Sequence, residues 1–473
     1  MYIQLISILF SLIAILTNSM IFNKDKLNSE MKIRKSFILS SSLLLFISIT
    51  YFGHQINGEF LNLSIINGIV ISLGSTKLGA IFAVLTNFIT LLVAIELYDE
   101  KKTFNSRAAI SLIQLTNICL MGCFFSRDLL SFFIFFEISI VPIFFIILIF
   151  GGKEKILAAR QFFIYTIAGS LLILTAICYL ASITGSVNPE DIKASLNFTN
   201  TSGGVKLFLC SILVIGFFIK IPTFPFHTWL PLAHVQAPTF GSMMLAGILI
   251  KLGGFGIIQF VLPIFQDQIE ILRPYFLTIG LISLIYASAI CFAQKDIKKL
   301  IAYSSIAHMS YVVFGIFSGE TYGVNGAVFQ MISHGVVSAG LFYMVSIIYK
   351  RFHTRDIEAY GRLYEANRDY AKVFLLLSFA SCGLPGTIGF IGELLTVISL
   401  AKYSFITMTI AASGTLLGAI YMLNLNRKLL FSHPEMNISS FTPLTHSEKA
   451  NLAILSIVTI LFGIFPSLIL DLI

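Results

Sequence analysis

The chain has 473 residues, of which 57% are hydrophobic and 11% charged, with a formal net charge of +8. An ordinary soluble domain carries roughly 25% charged residues, so the composition excludes a soluble catalytic domain, and the basic excess points to membrane orientation, not to nucleic acid. The six cysteines (Cys119, Cys123, Cys178, Cys210, Cys291 and Cys382) are scattered through apolar runs. Cys119 and Cys123 share a helix face, yet no third Cys or His joins them as a metal or iron–sulfur site would need. They read as core residues, and neither a metal nor a cofactor is expected in this chain.

Apolar runs long enough to cross a hydrocarbon core of about 30 Å recur from end to end. They predict an all-α polytopic membrane protein with about fourteen spans: 2–22, 36–53, 77–97, 107–125, 128–150, 160–184, 205–221 continuing to 235, 239–262, 271–293, 299–318, 323–349, 371–402 with a break, 404–430 and 450–470. The first run has neither a basic region before it nor a small-residue cleavage site, so it is expected to be a retained span. Loops after odd-numbered spans hold 23 basic residues and the opposite loops six, with Lys220 and Lys251 left inside apolar segments. By the positive-inside rule the odd loops face the cytoplasm or matrix.

Four ionisable residues fall within spans: Glu137 in SFFIFFEISIVPIFF, Lys220 in FFIKIPTFPFHTWLP, Lys251 in MMLAGILIKLGGFG and Glu393 in LPGTIGFIGELLTV. Each costs about 2.5–3.5 kcal/mol near a helix centre on insertion scales, so four together require partners or a hydrated cavity. His308 (YSSIAHMSY) and His334 (FQMISHGVV) join them as buried titratable groups. Pro222 follows Lys220 by two residues, and Pro385 stands between Gly383 and Gly386 ahead of Glu393. Proline lacks an N–H and crowds the carbonyl four residues back, so spans 7 and 12 are expected to be broken helices. Irregular backbone at membrane depth survives only inside protein or beside a wet cavity. The breaks lie five spans apart, an odd offset that reverses orientation. Spans 4–8 and 9–13 therefore read as inverted five-helix repeats, an arrangement used by transporters with buried ion sites. The expected organisation is 1–106 for the N-terminal spans, 107–262 for the first repeat, 271–430 for the second, and 431–473 for a loop and last span.

The stretches FFIKIPTFPFHTWLPLAHVQAPTFGSMMLAGILIKLGGFG, AQKDIKKLIAYSSIAHMSYVVFGIFS, VFQMISHGVVSAGLFYMVSIIYKRFHTRDIEAYGRL and LPGTIGFIGELL resemble the antiporter-like, proton-pumping chain 4 family of NADH:ubiquinone oxidoreductase, respiratory complex I. The resemblance covers roughly residues 107–430. A glutamate in the twelfth span suits chain 4, since the related chains 2 and 5 usually carry lysine there. The resemblance implies that Glu137 and Lys220 form the coupled pair of a first half-channel and that Lys251 is a central relay. It implies that His308 and His334 carry protons onward and that Glu393 is the gate to the outer side. It places NADH, FMN, iron–sulfur clusters and ubiquinone in other subunits, with chains 2 and 5 and lipids as neighbours. The alternatives are a subunit of a multisubunit cation/proton antiporter and a passive membrane scaffold. Abundant Phe, Ile, Asn and Lys with a single Trp fit an AT-rich organellar genome, hence a mitochondrial inner membrane, with a bacterial plasma membrane as the alternative.

Overall fold

The computed structural model describes residues 26–53, 60–66, 69–99, 105–198, 201–433 and 441–473. The expected span 2–22 lies outside them. In chain order the helices are α1 (Lys26–Gly53), α2 (Lys77–Tyr98), α3 (Ser106–Phe125), α4 (Leu129–Phe150, interrupted at Ser139), α5 (Lys155–Thr184), α6 (Pro189–Phe198) and α7 (Gly203–Lys220). They continue as α8 (Trp229–Gln236), α9 (Thr239–Ile264), α10 (Gln266–Ala293), α11 (Ile297–Phe317), α12 (Thr321–Phe352) and α13 (Leu363–Ala366). The last are α14 (Arg368–Ser381), α15 (Ile388–Ser399), α16 (Phe405–Phe431), α17 (His446–Ile464) and α18 (Ser467–Leu470). Twelve helices among the described residues are long and apolar enough to cross a membrane. Between its two ends a helix satisfies its backbone groups within the segment, which lipid demands.

Side-chain caps mark many of the starts. Thr76, Asn105, Asp128, Asp296, Asn367 and Ser404 each accept a backbone N–H from the first turn that follows. Thr445 and Glu448 form a reciprocal capping box at α17. Such oxygens supply partners for the N–H groups a helix start leaves orphaned.

Both expected breaks are present. α7 ends at Lys220 and helix resumes at Trp229, while α14 ends at Ser381 and α15 begins at Ile388. Gly383 and Gly386 take φ values of +67° and +86°, a region that penalises a Cβ. α9 carries two further interruptions, π-turns at Leu245–Leu249, where no proline stands, and at Ile257–Val261, just ahead of Pro263. The fold is helical as expected, with one small addition, an antiparallel hairpin of β1 (Phe60–Ile66) and β2 (Ile69–Gly74) between α1 and α2. Alternating Ile, Val and Leu with Ser and Asn give those runs a strand period. β2 then ties to the start of α4, where Arg127 N–H donates to the Ser72 carbonyl at 3.0 Å and Ser72 N–H to Ser131 Oγ at 3.0 Å.

The chain packs as two compact units, one holding the described residues up to Lys220 with Phe255–Ile269, the other Ile221–Gly254 with Glu270–Ile473. In the first, Phe132 is the hub of an aromatic core, with ring centroids 5.0 Å from Phe260, 5.5 Å from Phe136 and 6.0 Å from both Phe217 and Phe255. In the second, α11 and α12 are the innermost helices, almost wholly buried, whereas α16 is largely exposed. α15 shows the inside-out pattern of a lipid-facing helix. Gly389, Gly392, Glu393, Thr396 and Ser399 are buried, whereas Leu394 and Ile398 are exposed. Small and polar residues make helix–helix contacts where lipid is as apolar as leucine.

Candidate functional site

In the first unit Lys220 is the last residue of α7 and is 2% exposed. Its Nζ has no hydrogen-bond partner and lies 4.8 Å from the ring centroid of Phe136 and 5.9 Å from that of Phe162. Aromatic faces attract a desolvated cation by about 2 kcal/mol or more. Glu137 follows Phe136 on α4, with Oε2 buried and also unpartnered. Both Glu137 and Cys123 lie within electrostatic range of Lys220. The expected pair is thus brought to one aromatic niche without a hydrogen bond between its members. Ending α7 at Lys220 is what permits this, because the ammonium is carried at a helix terminus.

In the second unit four of the expected residues meet. Lys251 is fully buried and directly follows the first π-turn of α9, where Ile250 N–H reaches back to the Leu245 carbonyl. Its Nζ donates to the Ala246 carbonyl and stands 2.7 Å from His334 Nδ1 on α12. The His334 ring centroid is 5.7 Å from that of His308 on α11. His308 Nδ1 is 3.0 Å from Glu393 Oε1, and His308 Nε2 is 3.0 Å from Ser381 Oγ. Ser381 closes α14 and Glu393 lies in the second turn of α15, so both sides of the break converge on one imidazole. The break also wraps the carboxylate, since a Cβ at Gly383 would stand 2.7 Å from Glu393 Oε2.

A small cavity, about the size of a single water, lies along this series, and His308, Gln330, Ser333, His334, Ser381 and Glu393 are among its lining residues. A space of that size beside hydroxyl, amide and imidazole groups is large enough for one water. A lysine amine, two imidazoles and a carboxylate, paired by short contacts and separated by a gap that one water can span, can accept and release protons in sequence. Among the described residues no group of three or more His, Cys, Asp or Glu is arranged to hold a metal ion.

Several residues enter the site without having been signalled. Ser381 and Gln330 are two, as serine and glutamine in an apolar run normally pass for helix-satisfied polar groups. His234 is a third: it is fully buried on α8, stacked on Phe342 with centroids 4.4 Å apart, and both ring nitrogens lack partners. The carbonyl end of α8 is held by two cations that charge counting assigns to loops. Lys298 Nζ donates to the Ala237 carbonyl at 2.6 Å and Arg355 to the Val235 carbonyl at 2.6 Å, favourable at the negative end of a helix dipole. In the same loop region burial pushes the Tyr360 hydroxyl above its usual pKa, so it remains a donor to the Thr354 carbonyl, 2.7 Å away.

Broken helices, buried titrating side chains and a polar cavity define a polytopic helical membrane protein of the ion-translocating class. The sequence profile described as NADH:quinone oxidoreductase/Mrp antiporter, transmembrane region, matches residues 126–418, and the chain belongs to that family. It is 38% identical over 480 residues to NADH-quinone oxidoreductase subunit M of Rickettsia prowazekii, covering 98% of this chain and 96% of that one. It is 34% identical over 457 residues to NADH-ubiquinone oxidoreductase chain 4 of Marchantia polymorpha, covering 94% and 91%. Among solved structures it is similar to a chain of respiratory complex I from Thermus thermophilus with bound NADH, at TM-score 0.87, 25% identity and 98% coverage of both chains. A chain of the Mrp complex from Dietzia sp. DQ12-45-1b shares the fold at TM-score 0.84 with 16% identity, covering 100% and 96%.

Proposed function

We propose that this chain is a proton-translocating membrane-arm subunit of an NADH:quinone oxidoreductase, coupling redox chemistry performed elsewhere in the complex to proton movement across the membrane. The observation that carries the reading is two buried pairs, Lys251–His334 at 2.7 Å and His308–Glu393 at 3.0 Å, with their imidazole centroids 5.7 Å apart beside a small cavity in an otherwise apolar bundle. Glu137 and Lys220 form the second titrating set, whose two members change partners as the proton moves. Within this reading Lys251 is the relay, the histidines pass the proton on, and Glu393 releases it outward. Spans 4–8 and 9–13 are inverted repeats built around the breaks at Pro222 and Pro385. NADH, FMN, iron–sulfur and ubiquinone chemistry belongs to other subunits. The neighbours are the related chains 2 and 5 together with lipid, in a mitochondrial inner membrane or, alternatively, a bacterial plasma membrane.

Glu393→Gln tests the reading. It keeps size and hydrogen bonding but cannot ionise, so the assembled complex should lose NADH-driven proton pumping, while Glu393→Asp should retain part of it. Equal pumping by Gln and Glu at equal complex abundance would overturn the role. The cation/proton antiporter alternative shares the fold. Mass spectrometry of the native complex separates the two, because flavin and iron–sulfur subunits should accompany this chain.

A further inference from the structure

Between His334 and the His308–Glu393 pair the hydrogen-bonded series is open. Lys251 occupies His334 Nδ1, and Nε2 is buried with no partner. One helical turn before His334 on α12 stands Gln330, 2% exposed, whose Oε1 is likewise buried and unpartnered. Residues four apart on a helix share a face, and both side chains line the same cavity as Glu393. Gln330 also reaches across to α15: a Cβ built on Gly392 would lie 2.5 Å from Gln330 Oε1. The amide oxygen therefore sits beside the residue that precedes Glu393.

A buried amide oxygen without a partner forfeits a hydrogen bond it had in water, a cost of about 1–3 kcal/mol. His334 Nε2, one turn further along the same helix and lining the same cavity, is in the same state. One water satisfies both, since it donates to Oε1 and accepts from Nε2–H, with its second hydrogen free to point at the carboxylate. Buried water with two to four polar partners is the usual occupant of such a gap.

We infer that Gln330 is a positioning residue whose carboxamide holds the cavity water linking His334 to the His308–Glu393 pair. The inference rests on the proton-translocating reading above. His334 Nε2–H passes its proton to the water as the water passes one of its own to the Glu393 carboxylate. At the same time Lys251 Nζ gives a proton to His334 Nδ1, 2.7 Å away, so the imidazole ends neutral as the other tautomer; one O–H bond forms on the water as another breaks, and Lys251 is left as the neutral amine with Glu393 protonated. Gln330 fixes where that water stands and undergoes no chemistry itself.

Gln330→Met and Gln330→Glu separate this from packing. Both match the volume of glutamine beside Gly392, but only Glu keeps an acceptor oxygen. In the intact complex Gln330→Met should lower coupled pumping about five- to tenfold, as expected for one lost hydrogen bond on the transferring water. It should also raise the solvent deuterium isotope effect. Gln330→Glu should retain more activity than Met, with a shifted pH profile. A high-resolution cryo-electron-microscopy map of the unmodified complex should show water within hydrogen-bond distance of both Gln330 and His334 Nε2. Wild-type pumping and isotope effect in Gln330→Met, or equal losses in Met and Glu, would overturn the inference. Glu393→Gln measured alongside keeps the two failures apart. If it abolishes pumping while Gln330→Met does not, the water assignment alone is wrong; if it pumps normally, the underlying reading falls.

Discussion

Gly389 stands where α15 begins, against the last turn of α14. A Cβ added there would lie 1.7 Å from the Ala380 carbonyl oxygen and 2.8 Å from its carbon, both backbone atoms that no rotamer change can move. Real Cβ contacts stay above 3.0 Å, so Gly389→Ala must drive α15 and α14 apart by about 1.3 Å. Glu393 lies one turn further along α15, and its carboxylate is 3.0 Å from His308 Nδ1. A displacement of that size takes it beyond hydrogen-bond range while Ser381, on α14, stays behind. Overpacking of this kind costs about 1–3 kcal/mol, which a large assembly tolerates. A 1 Å misplacement of a transfer group can nevertheless cost about a hundredfold in rate. The expected outcome is an assembled complex on native gels, near-normal abundance, and proton pumping reduced by at least tenfold in NADH-energised proteoliposomes read with a pH-sensitive dye. Normal pumping by Gly389→Ala would show that the approach of α14 and α15 across the break does not set the Glu393 position, and the geometric reasoning would fail.

Lys220→Met should leave thermal stability of the complex unchanged or raised while abolishing pumping, because it replaces a buried ammonium that has no hydrogen-bond partner with an apolar chain of similar length; a large drop in the melting temperature would mean the lysine is structural. Arg351→Leu should destabilise by about 3 kcal/mol, because it removes the cation held at 2.7 Å and 2.8 Å from the buried Glu448 carboxylate and leaves it the Thr445 N–H of the capping box; the check is thermal aggregation of the purified complex, where an unchanged midpoint refutes it. Single-cysteine probes at the exposed Glu365 and Lys402 should be labelled from opposite faces of sealed vesicles, Glu365 from the cytoplasmic or matrix side; labelling from one common face would overturn the topology drawn from the basic residues.

Much of the site is legible because its signals are local. Pro222 beside Lys220, and Pro385 between two glycines ahead of Glu393, announce both a discontinuity and a charge within a few residues. The first π-turn of α9, unlike the second ahead of Pro263, is not legible in this way. Gly247, Gly253 and Gly254 loosen that helix, yet nothing in their order separates a widened turn from a regular one. The hairpin signal is present in the sequence, since Asn67-Gly68 is a strong hairpin dipeptide between alternating runs, but so short a pair disappears among spans four times its length. Side-chain distances are a different matter. Sequence brings Glu137 and Lys220 into one neighbourhood, while whether they touch depends on Phe136 and Phe162 claiming the space around the ammonium. Ser381 escapes notice because its importance lies wholly in what faces it across the break.

Helix length carries a consequence for biogenesis. α15 has 12 residues, about 18 Å at 1.5 Å per residue, well short of a hydrocarbon core of about 30 Å. α14 is hardly longer at 14 residues. Neither is a free-standing insertion unit, and α15 presents its glycines, threonine and carboxylate to whatever lies on its inner side. These two segments must therefore be drawn into place by α11 and α12 after those long, uninterrupted helices have already crossed. Glu393 reaches its depth as cargo on a helix that the membrane would not accept by itself, and the ionisable group is shielded by protein before it meets lipid.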